Sequence, residues 1–243
     1  MTIALGLVGT DGIVIAADTE ESYGAMKNNT TKILTVSSVG PDGKAKPSDG
    51  ACVITNAGDS GYASALAEKL AHVFMSHRTA MTPALQEAFE ECLATFYAKH
   101  VIPFVNFPDD ERPAVEMLVA CCLNKVYRLF FNDKSVMAPV IRYRAVGMGG
   151  PFAEHLLERL YRPAPTKILE VLAAYVVFLT KKSIRSCGKF TQIISLRGEG
   201  ELLHWCDSDL DSLEKTFSSQ WLASERDSMW KLITQSVSKE GQP

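Results

Sequence analysis

The chain opens with two short apolar runs separated by a glycine-containing turn. Residues Ile3 to Val8 and Ile13 to Ala17 are almost wholly apolar, and Gly9 to Gly12 lies between them. Apolar runs on either side of a turn signal are typical of a buried β-hairpin. A third short strand is expected at Lys32 to Val36, so the pattern predicts three strands close to the start of the chain.

Blocks with helical spacing then alternate with short apolar runs. The helical blocks predict a helix after the turn at Asn56 to Gly61, a second from Thr82 to about Lys99, a third after Gly147 to Pro151, a fourth from Thr166, and a last helical region from Asp209 to about Val237. The apolar runs predict strands at Ala51 to Thr55, Ala114 to Leu123, Val126 to Phe131, Val136 to Pro139, Ile141 to Val146, Phe190 to Leu196 and Glu201 to Cys206. Ser37 to Gly50 is rich in Gly, Pro, Lys and Asp, which favours an exposed loop or a long hairpin tip.

This order of elements predicts the fold class. Two pairs of helices, each separated from the next by antiparallel hairpins, suit an α+β protein in which helices cover both outer faces of two packed sheets, a four-layer αββα sandwich. No internal repeat, low-complexity tract or linker divides the sequence. We therefore expect a single domain over residues 1–243.

Composition and charge exclude several classes of function. Of the 243 residues, 47% are hydrophobic and 22% are charged, and the formal net charge is -3. The chain has no basic stripe, so a nucleic-acid partner is not indicated. The most apolar later run, Ile168 to Leu179, contains Glu170 and is too short to span a bilayer. We expect a soluble protein without a membrane partner.

Cysteine and histidine spacing indicates neither disulfides nor a metal site. None of the six cysteines has CxxC spacing, and Cys121 and Cys122 are adjacent in an apolar run, which favours reduced, mostly buried thiols in a cytoplasmic protein. The five histidines have no ligand spacing, so no metal is expected. The turn at Gly147 to Pro151 matches neither the Walker nor the dinucleotide pattern, and we expect no cofactor.

Thr2 carries the candidate chemistry. Thr is a small residue of the kind that usually permits removal of an initiator methionine, and removal of Met1 would leave Thr2 with a hydroxyl and a free α-amine. An α-amine has an ordinary pKa of about 7.7–8.0, so near neutral pH an appreciable fraction can accept the hydroxyl proton. Thr2 would then be a nucleophile that carries its own base.

Asp18 and Lys32 are the charges expected beside Thr2. The first hairpin folds back so that Asp18, at the end of its second strand, can lie near Thr2, and Lys32 begins the third strand. An ammonium there would lower the cost of alkoxide character on the Thr2 hydroxyl. Each residue also has an ordinary interpretation, because Asp after a strand is usually a turn residue and Lys at a strand edge is usually solvated.

At this point the sequence resembles the proteasome β-subunits and their bacterial peptidase relatives, within the N-terminal-nucleophile hydrolases. The resemblance lies in Thr2-Ile3-Ala4-Leu5, in the run from Asp11 to Thr19 with its Gly-hydrophobic-Ala-Ala-Asp pattern, and in Lys32-Ile33. It implies the four-layer fold, a nucleophilic Thr2 supported by Asp18 and Lys32, and assembly into rings. It also implies that the backbone N–H of Gly58, at a strand-to-helix turn, holds an oxyanion, although Gly58 is equally well explained by backbone geometry alone.

Two departures from that family lie at its supporting residues. Met148 stands where family members usually have a Ser between glycines, and Ile184 stands where they usually have an Asp ahead of a Ser and a Gly. Ser186 or Cys187 lies near the position of that second Ser. Glu20 replaces a commonly basic position and could compete with Asp18 for Lys32. Such losses affect pKa tuning and water placement more than the nucleophile itself.

Three functions follow as hypotheses. The first is a threonine-type endopeptidase that hydrolyses unfolded polypeptide inside a self-assembled homo-oligomeric ring, with Thr2 as nucleophile. The second is a structural ring subunit of the same fold whose active site has decayed, and the third is an amidase of the wider superfamily that acts on a small molecule. Ring size, cleavage preference and any ATPase partner stay open at this stage.

Overall fold

The computed structural model describes residues 2–23, 26–39, 45–78, 82–108, 112–198 and 200–221. The protein is mixed α and β, and every strand pair in the described ranges is antiparallel. The chain divides into two compact units, Met1–Trp205 and Cys206–Pro243.

The strands of the first unit form two five-stranded sheets and one hairpin. The strands are β1 (Ala4–Val8), β2 (Gly12–Asp18), β3 (Glu20–Tyr23), β4 (Met26–Asn29), β5 (Ile33–Val39), β6 (Ala45–Gly58), β7 (Val115–Leu123), β8 (Val126–Asp133), β9 (Val136–Val140), β10 (Tyr143–Val146), β11 (Thr191–Arg197) and β12 (Glu201–His204). One sheet has the order β10-β1-β2-β11-β12, the other has the order β5-β6-β7-β8-β9, and β3 pairs with β4.

Within the described ranges of the same unit there are four α-helices, α1 (Ser60–His77), α2 (Thr82–His100), α3 (Gly150–Leu160) and α4 (Thr166–Ser183), and a 3-10 turn at Ile102–Phe104. The helices α1 and α2 contact each other and the sheet of β6 and β7, whereas α3 and α4 contact the sheet of β1, β2, β10 and β11. In the second unit, α5 (Asp207–Thr216) is followed by a π-helical turn at Phe217–Trp221.

The first hairpin forms as its apolar pattern predicts. In its ladder Ala4 lies opposite Ala17 and Leu7 lies opposite Val14, and all seven residues of β2 are buried. A strand buried on both faces reads as a continuous apolar run, which is the pattern of Ile13 to Ala17. This register places the end of β2 beside the start of β1, so Asp18 lies close to Thr2.

Two apolar clusters hold the sheets and helices together. One joins side chains of both sheets, among them Ile13 and Ile15 of β2 with Val53 of β6 and Leu118 of β7. The other packs α1 and α2 onto the outer side of the second sheet through buried residues such as Phe74 and Phe89. Fully burying a side chain of this size contributes about 1.5–3 kcal/mol, so the two clusters fix the positions of the strand ends.

The sequence left one segment open between two alternatives and gave no sign of one hairpin. Of the exposed loop and the long hairpin tip expected at Ser37 to Gly50, the described residues favour the hairpin, because β5 continues to Val39 and β6 begins at Ala45, with a register shift between Ser37 and Ser38. Backbone pairing continues there although the composition is typical of loops. The hairpin β3–β4 was missed, because the residues of β4 are polar or exposed and show no apolar alternation. The part of the predicted last helical region beyond residue 221 lies outside the described residues.

Candidate active site

Thr2 is held at the start of β1 by the glycine-rich run between β10 and α3. The backbone N–H of Gly149 donates to the carbonyl oxygen of Thr2 at 3.1 Å. Gly147 has a φ of +85°, and a Cβ there would lie 2.4 Å from the same oxygen. The left-handed conformation and the close approach both require glycine. The side chain of Thr2 is 5% exposed.

Asp18 ends β2 in a fully buried position. Its Oδ1 accepts a hydrogen bond from the backbone N–H of Ile3 at 3.2 Å, and its Oδ2 accepts one from the N–H of Gly188 at 2.8 Å. Burial raises the pKa of this carboxyl, and the neighbouring Lys32 ammonium and the two N–H groups offset part of the rise.

Lys32 lies directly before β5 and joins the other two residues. Its Nζ donates to Oγ1 of Thr2 and to the carbonyl oxygen of Glu20, and it lies 2.8 Å from Oδ1 of Asp18. The Lys32 side chain is buried. A cation bonded to a hydroxyl oxygen favours the deprotonated hydroxyl, because it stabilises the negative charge. The structure therefore brings Thr2, Asp18 and Lys32 together, as the strand-end argument predicts.

Gly58 ends β6 with its N–H directed away from β7. The amide of Asn132 on β8 accepts from the N–H of Met117 and donates to the carbonyl of Val115, so Glu116 between them faces β6, where Ala57 lies opposite. The Ala57 carbonyl therefore points toward β7. In a trans peptide the following N–H, that of Gly58, points the opposite way.

Backbone geometry also requires glycine at position 58. Its φ is +105°, and a Cβ would lie 2.0 Å from the carbonyl oxygen of Ala114. The same carbonyl accepts from the N–H of Asp59 at 2.8 Å, which fixes the turn from β6 into α1. Backbone geometry alone therefore accounts for the glycine at position 58, and it is compatible with an N–H directed away from β7.

Thr2, Lys32 and Gly58 line one cleft of about 790 Å³. The remaining lining residues come from the β3–β4 region, the β6–α1 turn, β7 and the glycine-rich run: Glu21, Thr30, Thr31, Asn56, Ala57, Asp59, Ser60, Ser64, Ala114, Glu116, Gly147, Met148 and Pro151. Thr2, Lys32 and Gly58 therefore border a space large enough for several residues of a peptide.

The expectation that Glu20 competes with Asp18 for Lys32 was wrong. The Glu20 carboxylate is buried but pairs with Lys27 at 2.6 Å, and only the Glu20 backbone carbonyl contacts Lys32. Lys27 also donates to the carbonyl of Arg185 at 3.0 Å, which ties β4 to the turn after α4. The pairing between β3 and β4 supplied the competing cation, and the sequence pattern gave no sign of that hairpin.

Met148 and Ile184, the two positions at which the sequence departs from the family pattern, can be located in the structure. Met148 is 58% exposed and lines the cleft next to Thr2, and Ile184 follows the last turn of α4. Cys187 is buried, and burial together with the charge of Asp18 raises the pKa of its thiol to about 12. Cys187 is therefore protonated at neutral pH, the form in which a thiol is a poor nucleophile.

Sequence reasoning missed several contacts that shape the site. Gly188 holds Asp18, and Glu116 accepts a hydrogen bond at 2.5 Å from the N–H of Gly147 beside Thr2. Glu21 lines the cleft although no motif singled it out. The glycines in the runs at 147–150 and at 188 were the available signal, since a glycine near a site indicates close backbone approach.

Two further findings concern the described residues. Among them, no group of three or more His, Cys, Asp or Glu side chains is placed to hold a metal ion. None of the helices in the described ranges is long and apolar enough to cross a membrane.

Comparison with known proteins relates this fold to the Anbu proteins. No protein-family model matches the sequence, and no curated protein matches it. Among solved structures, an Anbu (Gly-1) mutant from Hyphomicrobium sp. strain MC1 matches with a TM-score of 0.73 at 13% identity, over 95% of this chain and 97% of that one. Anbu (ancestral β-subunit) from Yersinia bercovieri matches with a TM-score of 0.73 at 11% identity, over 92% and 96%.

A third match is the Anbu complex from Pseudomonas aeruginosa, solved as a helical assembly, with a TM-score of 0.70 at 14% identity over 94% of this chain and 96% of that one. At these identities the likeness shows the fold alone. The chain therefore has a proteasome-related fold of the kind found in the Anbu proteins.

This result corrects the family that was expected from the sequence. The resemblance to proteasome β-subunits and their bacterial peptidase relatives was wrong about the family, because the three similar structures described above are Anbu proteins. The motif from Asp11 to Thr19 describes a strand-turn-strand hairpin with a buried Asp at its end. That local geometry belongs to the fold, so it does not separate families that share it.

Proposed function

We propose that this chain is a threonine-type endopeptidase that uses Thr2 as an N-terminal nucleophile after removal of Met1. The observation that carries the proposal is the hydrogen bond from Nζ of Lys32 to Oγ1 of Thr2, made by an ammonium that Asp18 holds in place. Burying the charge of a lysine costs free energy, so a lysine without a role at this position would be expected to extend its ammonium group into solvent. Activation of the hydroxyl is a function that accounts for this cost.

The proposed reaction proceeds in two stages. Oγ1 of Thr2 attacks the carbonyl carbon of a peptide bond, and the hydroxyl proton passes to the α-amine of Thr2. The N–H of Gly58 and the Lys32 ammonium stabilise the tetrahedral oxyanion and the attacking oxygen. The intermediate expels the substrate amine, which takes the proton, and leaves an ester on Thr2. Water then hydrolyses the ester, releases a carboxylic acid and restores the hydroxyl.

Assembly and architecture complete the proposal. We propose that helices, sheets and helices stack as a four-layer αββα sandwich within one domain over residues 1–243 and that copies of the chain form a homo-oligomeric ring. The helical assembly of the Pseudomonas aeruginosa Anbu complex supports self-association. The proposed substrate is unfolded polypeptide that enters the central chamber of such a ring. Six free cysteines support a cytoplasmic location.

One observation favours a second candidate, a ring subunit without activity. Met148 presents an apolar side chain to the cleft that it shares with Thr2, and Ile184 after α4 is also apolar, so neither position supplies a hydroxyl or a carboxylate group. Without these groups the α-amine of Thr2 would lack partners that orient its lone pair. If this candidate is correct, the wild-type protein has a negligible rate of Thr2 labelling and the substitution Met148→Ser raises that rate. If the chain is an active peptidase, the wild-type protein, which has Met148, is already labelled.

To test the proposal, the purified protein is incubated with a peptide epoxyketone, and its N-terminal peptide is then analysed by mass spectrometry. The epoxyketone closes a ring only on a residue that has both a hydroxyl and a free α-amine. We expect loss of Met1 and one adduct on Thr2, absent from Thr2→Ala and retained in Thr2→Ser. Unmodified Thr2 with Met1 removed would favour the inactive ring subunit or a small-molecule amidase. Retention of Met1 by the assembled protein would overturn the proposed mechanism.

A further inference from the structure

Glu21 forms part of the cleft wall on β3. Side chains alternate along a strand, and the side chain of the preceding residue, Glu20, is buried and paired with Lys27. Glu21 consequently faces the other side, where it lines the same cleft as Thr2 and Lys32. The two adjacent carboxylates therefore have different surroundings, one closed by its own cation and one open to the cleft.

The Glu21 carboxylate is held in place and charged. Its Oε2 accepts a hydrogen bond from Oγ1 of Thr30 at 2.7 Å. Hydrogen bonds from Ser60 and Thr30, with a smaller contribution from the Lys32 ammonium, lower the pKa of Glu21. A carboxylate can accept about four hydrogen bonds, so two hydroxyl donors leave acceptor capacity for a further donor in the cleft.

The other charges of the cleft are engaged in the protein. Oδ2 of Asp59 accepts from the N–H of Ala114 at 2.9 Å, and Oε2 of Glu116 accepts from the N–H of Gly147 at 2.5 Å. Lys32 is paired with Asp18. The lining thus holds the carboxylates Glu21, Asp59 and Glu116 against an ammonium that is already neutralised. A cleft with this balance attracts positive charge.

We propose that the cleft binds a lysine or arginine side chain of the substrate next to the bond to be cleaved, and that Glu21 selects it. This inference rests on the proposed peptidase function and names the class of substrate. A guanidinium or ammonium group donates to the open face of the Glu21 carboxylate. Apolar groups of Ala57, Met148 and Pro151 in the same lining accommodate the methylene stem of such a side chain.

The first experiment compares three peptide epoxyketones that differ only in the residue next to the reactive ketone: Arg, Leu or Glu. We expect Thr2 of the wild-type protein to be labelled fastest by the Arg probe and slowest by the Glu probe. In Glu21→Gln the ratio of the Arg rate to the Leu rate should fall about 10- to 100-fold, the effect of losing one charge-assisted hydrogen bond. Glu68→Gln, at an exposed site on α1 away from the cleft, should keep the wild-type ratio.

The outcomes separate the specificity from the chemistry. Fast labelling by the Leu probe with no preference for Arg would support catalysis and overturn the role of Glu21. Calorimetric titration with short peptide amides that end in Arg, Leu or Glu measures binding without reaction. If the Arg peptide binds most tightly, and less so in Glu21→Gln, while no probe labels Thr2, the subsite stands and the proposed chemistry fails. Equal or absent binding of the three peptides together with no labelling would overturn both.

Discussion

The ammonium group of Lys32 donates a hydrogen bond to Oγ1 of Thr2, a residue 30 positions earlier in the chain, and both side chains are buried. The same nitrogen lies 2.8 Å from Asp18. Removing Lys32 from this group leaves the buried Asp18 carboxylate and the Thr2 hydroxyl without their cation. This relationship therefore links stability to the proposed activity, and the two can be measured separately.

Replacement of Lys32 by Met should affect both properties. We expect epoxyketone labelling of Thr2 to fall about 100- to 1,000-fold, because the developing alkoxide loses its cation. The free energy of unfolding should fall by about 3–5 kcal/mol, because Asp18 becomes an uncompensated buried charge. Adding Asp18→Asn should recover much of the stability but not the labelling. Lys69→Met, at an exposed site on α1, serves as the control, and wild-type labelling by Lys32→Met would contradict the role of Lys32.

The raised pKa of Asp18 predicts that the rate of Thr2 labelling decreases on the acid side of its pH profile. As the pH falls through this pKa, which lies above the ordinary value of 3.8, Asp18 is protonated and releases Lys32, so the labelling rate should decline. In the same window the folded protein binds more protons than the unfolded chain. The contribution of Asp18 to the free energy of unfolding is therefore largest below 3.8 and declines as the pH rises through the folded pKa.

Activity and this part of the stability should therefore change with pH in opposite directions. Labelling rates and urea unfolding measured in parallel between about pH 4 and 7 test this for the wild-type protein and for Asp18→Asn. The Asn variant should react more slowly and should lack the pH dependence that Asp18 contributes. An unchanged acid limb in that variant would assign the titration to another group.

Gly147 is a position at which a single methyl group should disturb the site. In Gly147→Ala the added Cβ meets the carbonyl oxygen of Thr2, and the left-handed backbone costs about 1–2 kcal/mol in addition. We expect a clear loss of stability and of Thr2 labelling. Gly61→Ala is the matched control, since a Cβ there meets no atom within 4 Å, and it should stabilise the protein by about 0.4–1 kcal/mol.

The pair formed by Lys27 and Glu20 should be more important to the fold than its place on an exposed hairpin suggests. Lys27→Met leaves the buried Glu20 carboxylate without its cation, and we expect a loss of about 1–3 kcal/mol in the free energy of unfolding. Lys27→Arg should retain most of the stability, and Lys27→Met combined with Glu20→Gln should recover it. If the single and double variants were equally unstable, the loss would come from the side chain of Lys27 itself and not from the pair.

Cys187 should be inert although it lies near the candidate site. With a pKa of about 12, only about one molecule in 10,000 carries the thiolate at pH 8. Iodoacetamide should therefore modify the exposed Cys206 and leave Cys187 unmodified in the folded protein. Peptide mass spectrometry measures the modified fraction of each cysteine in one sample. In guanidinium, which unfolds the protein, Cys187 and Cys206 should be modified to the same extent. Rapid modification of Cys187 under native conditions would contradict its protonated state.

Local pattern sufficed for the elements that define the candidate site. The apolar runs around Gly9 to Gly12 predicted the first hairpin, and its end placed Asp18 beside Thr2. The helices after Gly58 and from Thr82 follow from their helical spacing. The hairpin β3–β4 could not be predicted in this way, because its second strand is exposed and polar, so no hydrophobic periodicity marks it.

The sequence by itself determined that Asp18 lies beside Thr2, because the two residues lie at the ends of the paired strands β1 and β2 and a buried strand tolerates only one register. Lys32 joins them through the tertiary structure, because β5 belongs to the other sheet. Only the tertiary structure decided what surrounds them. Gly188 reaches Asp18 across 170 positions, and Glu21 meets Ser60 of α1 on the cleft wall. Such contacts depend on which distant strands pair and which faces pack together, and neither the spacing nor the polarity of neighbouring residues specifies that.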